Sequence, residues 1–353
     1  MARRSSSPAA LLSVAALLAA GAASAQSRPP PADSARVTEL VAHARAAAGT
    51  QWPQTVDFFC ERDTARANRA DDPELTPTRV FDDLYALGRT STVIWAIKTP
   101  AGIVLIDAGY PDQVQSIVLP GLRKLGLDPG DVKLVLVAHG HADHFGGAVY
   151  FQRLGARVGL SGADWDLMQS PTPAPPQPAA APPATAPAPA GSASPLPAAA
   201  SADALPPPKR DLILIDGQPV GVGGLEITPV SIPGHTPGSL GFVFKVRDGG
   251  RTHTAALFGG SILLSSRIPD AALGEYVRSV EHFADVTRRL GVDVEIQNHP
   301  LYDGFEAKLA QLATRKPGTA HPFVVGTAGY QSFLTVMSDC ARVELERRKD
   351  AAR

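Results

Sequence analysis

Residues 133–147 read KLVLVAHGHADHFGG. Lys133–Ala138 is an apolar run of strand length and predicts a buried strand. Directly after it, His139, His141, Asp143 and His144 place four ligand-type side chains within six positions. His139 and His141 stand two apart at a strand terminus, so both can point to the same side. Asp143 and His144 come one turn later, where the chain enters a predicted helix over Ala142–Leu154, and can point elsewhere. One segment can therefore offer two ligands to each of two metal ions. Imidazole nitrogen and carboxylate oxygen suit zinc. Two later histidines stand in equivalent places: His235 in PGHTPGS and His299 in QNHP each follow a predicted strand. Loops at strand ends project functional groups from a rigid scaffold. Three protein ligands per ion leave a position open for water, which marks a catalytic site rather than a closed structural one. The remaining histidines, His43, His253, His282 and His321, have no such company and read as polar surface residues.

Working outward, Thr92–Lys98 and Ile103–Asp107 are β-branched apolar runs around Pro100-Ala101-Gly102, a hairpin signal. Val114–Leu125 has helical spacing and stops near Gly126. Ala156–Leu160 predicts a short strand. Beyond residue 210, Asp211–Ile215, Leu225–Ile232, Leu240–Val246 and His253–Phe258 read as successive strands, the last two joined by the turn Arg247-Asp248-Gly249-Gly250. Glu275–Leu290 has an apolar helical stripe, Val292–Gln297 predicts a strand, Asp303–Ala313 a helix, and Gly326–Arg348 a long closing helix. Two β-rich lobes with interspersed helices predict an α/β protein, an αββα sandwich of two sheets packed face to face with helices outside.

The chain has 353 residues, 44% of them hydrophobic, enough for a sizeable core. With a net charge of −1 and no basic stripe, nucleic acid is not expected as a partner. A small-molecule substrate is the expected partner; the sequence is silent on oligomeric state. The amino terminus has the three parts of a secretory signal: Arg3 and Arg4, an apolar run from Ala9 to Ala20, and the small-residue site Ala23-Ser24-Ala25. Residues 1–25 are thus expected to be removed, leaving a periplasmic or secreted protein with no stable membrane insertion. Residues 26–353 read as a single domain interrupted by a Pro/Ala-rich tract at about 171–208. That tract holds 14 of the chain's 33 prolines, a density that fits a disordered or polyproline-like insertion. In an oxidising compartment the two cysteines, Cys60 and Cys340, are expected to pair.

HGHADH, PGHTPGS and the late NHP resemble the metallo-β-lactamase superfamily, over roughly Arg79 to the carboxyl terminus. Asp107 in LIDAGY matches the early aspartate of that family and reads as structural, bonding backbone amides near the metal loop. An all-histidine first site and an Asp-His-His second site are similar to the third subclass of class B β-lactamases. The resemblance implies that His139, His141 and His235 hold one zinc ion and that Asp143, His144 and His299 hold another. Asp143 would also orient the nucleophile. The implied function is a secreted dizinc hydrolase that opens β-lactam rings with a metal-bound hydroxide. In the segment Phe258–Leu263, FGGSIL, Ser261 stands where some relatives carry a bridging aspartate, which makes it a candidate substrate-binding residue. Leu263 stands where a second, substrate-gripping serine is common, unless Ser265, Ser266 or Arg267 takes that role. Two other readings stay open: a zinc hydrolase of the same fold acting on another ester, lactone, amide or phosphodiester, and a non-catalytic periplasmic zinc-binding protein.

Overall fold

The computed structural model describes residues 33–62, 72–169, 205–263 and 268–353. The expected leader, most of the Pro/Ala tract and Ser265, Ser266 and Arg267 lie outside the described residues. The amino-terminal helices are α1 (Ala35–Ala48), capped by the Ser34 hydroxyl, and α2 (Pro53–Phe59). Strands β1 (Thr78–Arg79), β2 (Leu84–Gly88), β3 (Val93–Thr99) and β4 (Gly102–Ile106) then form an antiparallel meander. A wide helical turn at Val114–Val118 leads into α3 (Leu119–Lys124) and β5 (Val132–Leu136). After the histidine loop come α4 (Ala142–Phe145), α5 (Ala148–Arg153), β6 (Arg157–Leu160), α6 (Gly162–Gln169) and β7 (Leu212–Ile213). The second lobe runs β8 (Ile227–Ser231), β9 (Leu240–Asp248), β10 (Arg251–Phe258), α7 (Asp270–Arg289) and β11 (Val294–Ile296). It closes with α8 (Phe305–Ala313) and α9 (Gly326–Ala351).

Period-two alternation decides which side chains meet. In β3, Trp95 and Ile97 face one way and Ile94 and Ala96 the other; β5 sorts Leu134 and Leu136 from Val135 in the same manner. The inward set packs against Phe242, Phe244, Ala255, Leu257 and Ile296 of the second sheet, forming the central core. The outward set is covered by α3, α5 and α6 through Leu119, Leu122, Phe151 and Trp165. On the far side, Val243, Ala256 and Phe258 meet Tyr276, Phe283, Phe333 and Met337 of α7 and α9. The strands are buried on both faces, which is why they read as continuous apolar runs. The result is the expected αββα sandwich. Its first sheet has the order β1-β2-β3-β4-β5-β6-β7 and its second β11-β10-β9-β8. Strands β4 to β7 are parallel, as are β10 and β11, so several strands end at one edge of the sandwich.

Some sequence expectations need adjustment. The helix expected over Ala142–Leu154 is broken into α4 and α5 at Gly146-Gly147. A Cβ at Gly147 would lie 2.2 Å from the Ala108 carbonyl oxygen, and one at Gly146 2.4 Å from the Pro111 ring. The loop after β4 presses against the glycines, and the break lets Ala108 N–H bond to the His144 carbonyl at 2.8 Å. Helix α7 starts at Asp270, five residues before its apolar stripe becomes regular. Helices α1, α2 and α6 and strand β2 were not anticipated. The described chain resumes at Leu205, which packs on the α3/α5 side, and Pro208 is buried. The segments flanking the Pro/Ala tract bond to one another: Gln152 pairs with both backbone polar groups of Lys209, Trp165 donates to the Leu212 carbonyl, and Arg210 meets Asp166 at 2.7 Å.

Cys60, at the end of α2, and Cys340, in α9, form a disulfide with a Cα separation of 4.6 Å, as the sequence led us to expect. Among the described residues no helix is long and apolar enough to cross a membrane. His321 is not a surface residue. It is buried, stacked on Phe81 with ring centroids 4.0 Å apart, and its two nitrogens face the Val80 carbonyl and the Phe323 N–H.

Candidate metal centre

The edge where strands of both sheets end gathers every candidate ligand. His139 follows β5, His235 follows β8, and His299 follows β11, while α4 carries Asp143 and His144. Close backbone contact locks the two sheets together here: Leu240 N–H donates to the Ala138 carbonyl at 2.8 Å. Gly259 fits between them, since a Cβ would come within 2.2 Å of the Leu240 oxygen and 2.6 Å of Ala138 Cβ.

Two clusters of three result, one of His139, His141 and His235 and one of Asp143, His144 and His299. In the first, His139 Nε2, His141 Nδ1 and His235 Nε2 are mutually 3.1 Å apart. That spacing is close to the ~3.3 Å edge of a tetrahedron with zinc–nitrogen bonds of ~2.05 Å. The far nitrogens of two rings are already committed: His139 Nδ1 donates to the Gly259 carbonyl at 2.8 Å and His235 Nδ1 to the Ile262 carbonyl at 2.7 Å. A carbonyl can only accept, so each of these neutral rings carries its proton on Nδ1 and turns a bare Nε2 inward. Bare lone pairs converging at 3.1 Å repel unless a cation lies among them. Protons are unsuited to that task. Burial, reinforced by the neighbouring imidazoles, holds His139 well below the usual histidine range and His235 down at about 3; burial lowers His141 as well.

The second cluster follows the same rule with a charge added. His144 Nε2 and His299 Nε2 are 3.0 Å apart, and each is 3.3 Å from Asp143 Oδ2. His299 Nδ1 donates to the Ser91 carbonyl and His144 Nδ1 to Asp107 Oδ2, both at 2.7 Å. Burial opposes ionisation of Asp143, yet His144 and His299 hold its carboxyl far below the usual range. Burial likewise works against a charged His144, but Asp143 and Asp107 raise it to about 10. A site that holds a proton so firmly between a carboxylate and two imidazoles is equally a site for a cation that displaces that proton.

Asp107 is the organiser expected from the sequence. It is fully buried and adopts φ 64°, a left-handed conformation that aspartate tolerates better than most residues. Its Oδ1 accepts from Ala138 N–H at 2.8 Å, and its Oδ2 receives His144 and, at 3.0 Å, the Asn298 amide. Carboxylate–imidazole pairs of this type fix the tautomer and aim of a metal ligand.

Ser261, the candidate substrate-binding residue, has no solvent exposure; its side chain lies by the buried Tyr302, and its carbonyl accepts from the Tyr276 hydroxyl at 3.0 Å. Leu263 is half-buried against the α7/α9 core. Sequence reading also missed Ser91, Thr236 and Asn298, which act beside the ligands. Asn298 and Thr236 are next to candidate ligand histidines in the chain, the one signal available for them.

Residues 86–255 match the model of the metallo-β-lactamase superfamily. Among solved structures, BJP-1, a subclass B3 metallo-β-lactamase of Bradyrhizobium japonicum, is 23% identical, with a TM-score of 0.63 over 81% of this chain and 100% of that one. The Rm3 metallo-β-lactamase is 27% identical, with a TM-score of 0.59 over 80% of this chain and 96% of that one. The metallo-β-lactamase SMB-1, bound to 2-mercaptoethanesulfonate, is 21% identical, with a TM-score of 0.60 over 81% and 100%.

Proposed function

Because the chain carries a metallo-β-lactamase superfamily domain, and is a metal-dependent hydrolase, we propose that it is an exported dizinc enzyme that opens β-lactam rings. The observation that carries this reading is the pair of adjoining three-ligand clusters, each with its nitrogens already turned inward by hydrogen bonds on the far side of the ring. Two zinc ions held there would supply an activated water and Lewis-acid stabilisation of the anion that develops on the leaving nitrogen. The protein's own contribution is preorganisation. His139, His141 and His235 would hold the first ion, and Asp143, His144 and His299 the second. Asp143, kept ionised by its neighbours, would orient the attacking water by accepting its hydrogen bond. The disulfide supports export, since such bonds persist in oxidising compartments.

A second reading is favoured by one observation. With Ser261 sealed and an apolar Leu263 beside it, neither offers a hydroxyl for a substrate carboxylate. A zinc hydrolase of this build acting on a lactone, other ester, amide or phosphodiester needs no such grip. The deciding experiment is turnover of a chromogenic cephalosporin by the zinc-loaded protein, run beside a panel of lactones and phosphodiesters. Cephalosporin hydrolysis lost on chelation and restored by zinc supports the first reading. No turnover of penicillins, cephalosporins or carbapenems with two zinc ions bound overturns it.

A further inference from the structure

Asp164, at the start of α6, carries no metal-ligand role, yet its carboxylate is wholly buried between the two loops that supply the three-histidine cluster. Its Oδ2 accepts from Gly140 N–H at 2.8 Å and from the Thr236 hydroxyl at 2.6 Å; its Oδ1 accepts from Gly238 N–H at 2.8 Å. Gly140 lies between His139 and His141, and Thr236 directly follows His235. One side chain therefore bonds both ligand-bearing loops at once.

The surroundings are shaped to it. A Cβ at Gly238 would fall 2.0 Å from the Ser161 hydroxyl and 2.8 Å from Asp164 Oδ1, and one at Gly140 would meet the Asp164 carbonyl at 3.1 Å. Ser161 Oγ accepts from Asp164 N–H at 3.2 Å. The Thr236 hydroxyl, which donates to Asp164, is 2.7 Å from the Ser239 hydroxyl, which in turn accepts from Thr236 N–H at 3.1 Å. Every donor in the chain Ser239–Thr236–Asp164 has an acceptor, so the network has one consistent direction. No comparable link joins Asp164 to Asp143, His144 or His299 among the bonds described.

We infer that Asp164 is a positioning residue: with Thr236 it fixes the spacing of the two loops that carry His139, His141 and His235, and so sets the metal affinity of that cluster rather than of its neighbour. The inference rests on the proposed reading of the cluster as a zinc site. Groups that hold metal ligands from behind typically change metal affinity 10–100-fold when removed.

The test is zinc binding by the full mature protein, in competition with a chromophoric chelator. It compares wild type with Thr236→Val, Thr236→Ser and Asp164→Asn, each checked by thermal unfolding. The same titration in an Asp143→Ala background reads the three-histidine cluster alone. Expected is a 10–100-fold loss in one of two binding steps for Thr236→Val and Asp164→Asn, restored in Thr236→Ser, and the same loss in the single step of the Asp143→Ala background. Equal weakening of both steps would mean a general structural role and overturn the inference, as would unchanged affinity in folded Thr236→Val. Should Asp164→Asn fail to fold, the two threonine variants decide alone. Wild-type protein that takes up no zinc would overturn the metal reading itself, and this inference with it.

Discussion

At the scale of single residues, the site is governed by what stands behind each ring. Four of the five clustered histidines spend one ring nitrogen on a carbonyl or a carboxylate, which aims the other at its partners in the cluster. Replacing Asp107 with asparagine keeps the shape and the left-handed backbone but removes the charge behind His144. Zinc affinity at the Asp-His-His cluster should then fall 10–100-fold, read by chelator competition. Asp143→Ala should lower zinc content from two ions toward one per chain, and His139→Ala should abolish hydrolysis; unaltered zinc content in Asp143→Ala would sink the ligand assignment. His321 makes a separate, pH-linked prediction. Burial lowers its pKa below the ordinary 6.5. The unfolded chain therefore takes up the proton first, so stability is unaffected above pH 6.5 and falls as pH drops below it. The loss reaches at most about 1.4 kcal/mol per pH unit until the folded-state pKa is passed. A pH series of urea denaturation should show a shallower acid-side decline for His321→Phe, which keeps the stack on Phe81 but has nothing to titrate.

At the scale of elements, the loop after β10 carries the prediction about substrate. Its serine is sealed and its Leu263 is packed, so β-lactam hydrolysis by the wild type should be modest, with kcat/KM under the ~10⁴ M⁻¹s⁻¹ that marks the lower end for preferred substrates. Leu263→Ser adds a hydroxyl at the position where the family resemblance implies a substrate-gripping serine. A hydrogen bond to a charged group contributes about 1.5–3 kcal/mol, so KM for carboxylate-bearing β-lactams should drop about 10- to 100-fold. An unchanged KM would show that the loop does not meet the substrate. The tract after α6 is predicted to be dispensable. Its flanks are bonded to each other through Gln152, Trp165 and Arg210. Replacing residues 171–204 with a short Gly/Ser linker, while keeping Leu205, should preserve cooperative unfolding and zinc content.

At the scale of the molecule, the Cys60–Cys340 bridge ties α2 to α9 across 280 residues of sequence. None of the candidate metal ligands sits on α1, α2 or α9. Removing both thiols as Cys60→Ser/Cys340→Ser should therefore cost about 2–5 kcal/mol in denaturant unfolding while leaving zinc stoichiometry intact. The sequence by itself determined the sandwich and picked out the residues that gather in the two clusters, because both are written locally. Buried strands are apolar runs, and His139 to His144 are ligand-type residues at fixed offsets from one. The cysteine pairing was also legible, since only two thiols exist. Tertiary structure alone decided the rest. The helix after His144 breaks because Ala108 and Pro111 press on Gly146 and Gly147 from another part of the chain. Ser261 is buried, with its carbonyl held by the hydroxyl of Tyr276 from α7. Asp164 holds two ligand loops although no local pattern marks it, since its three donors come from segments 24, 72 and 74 residues away. A hydrogen bond between distant segments leaves no periodicity in either of them, so only the assembled fold shows which polar side chain has been buried and which groups its charge restrains.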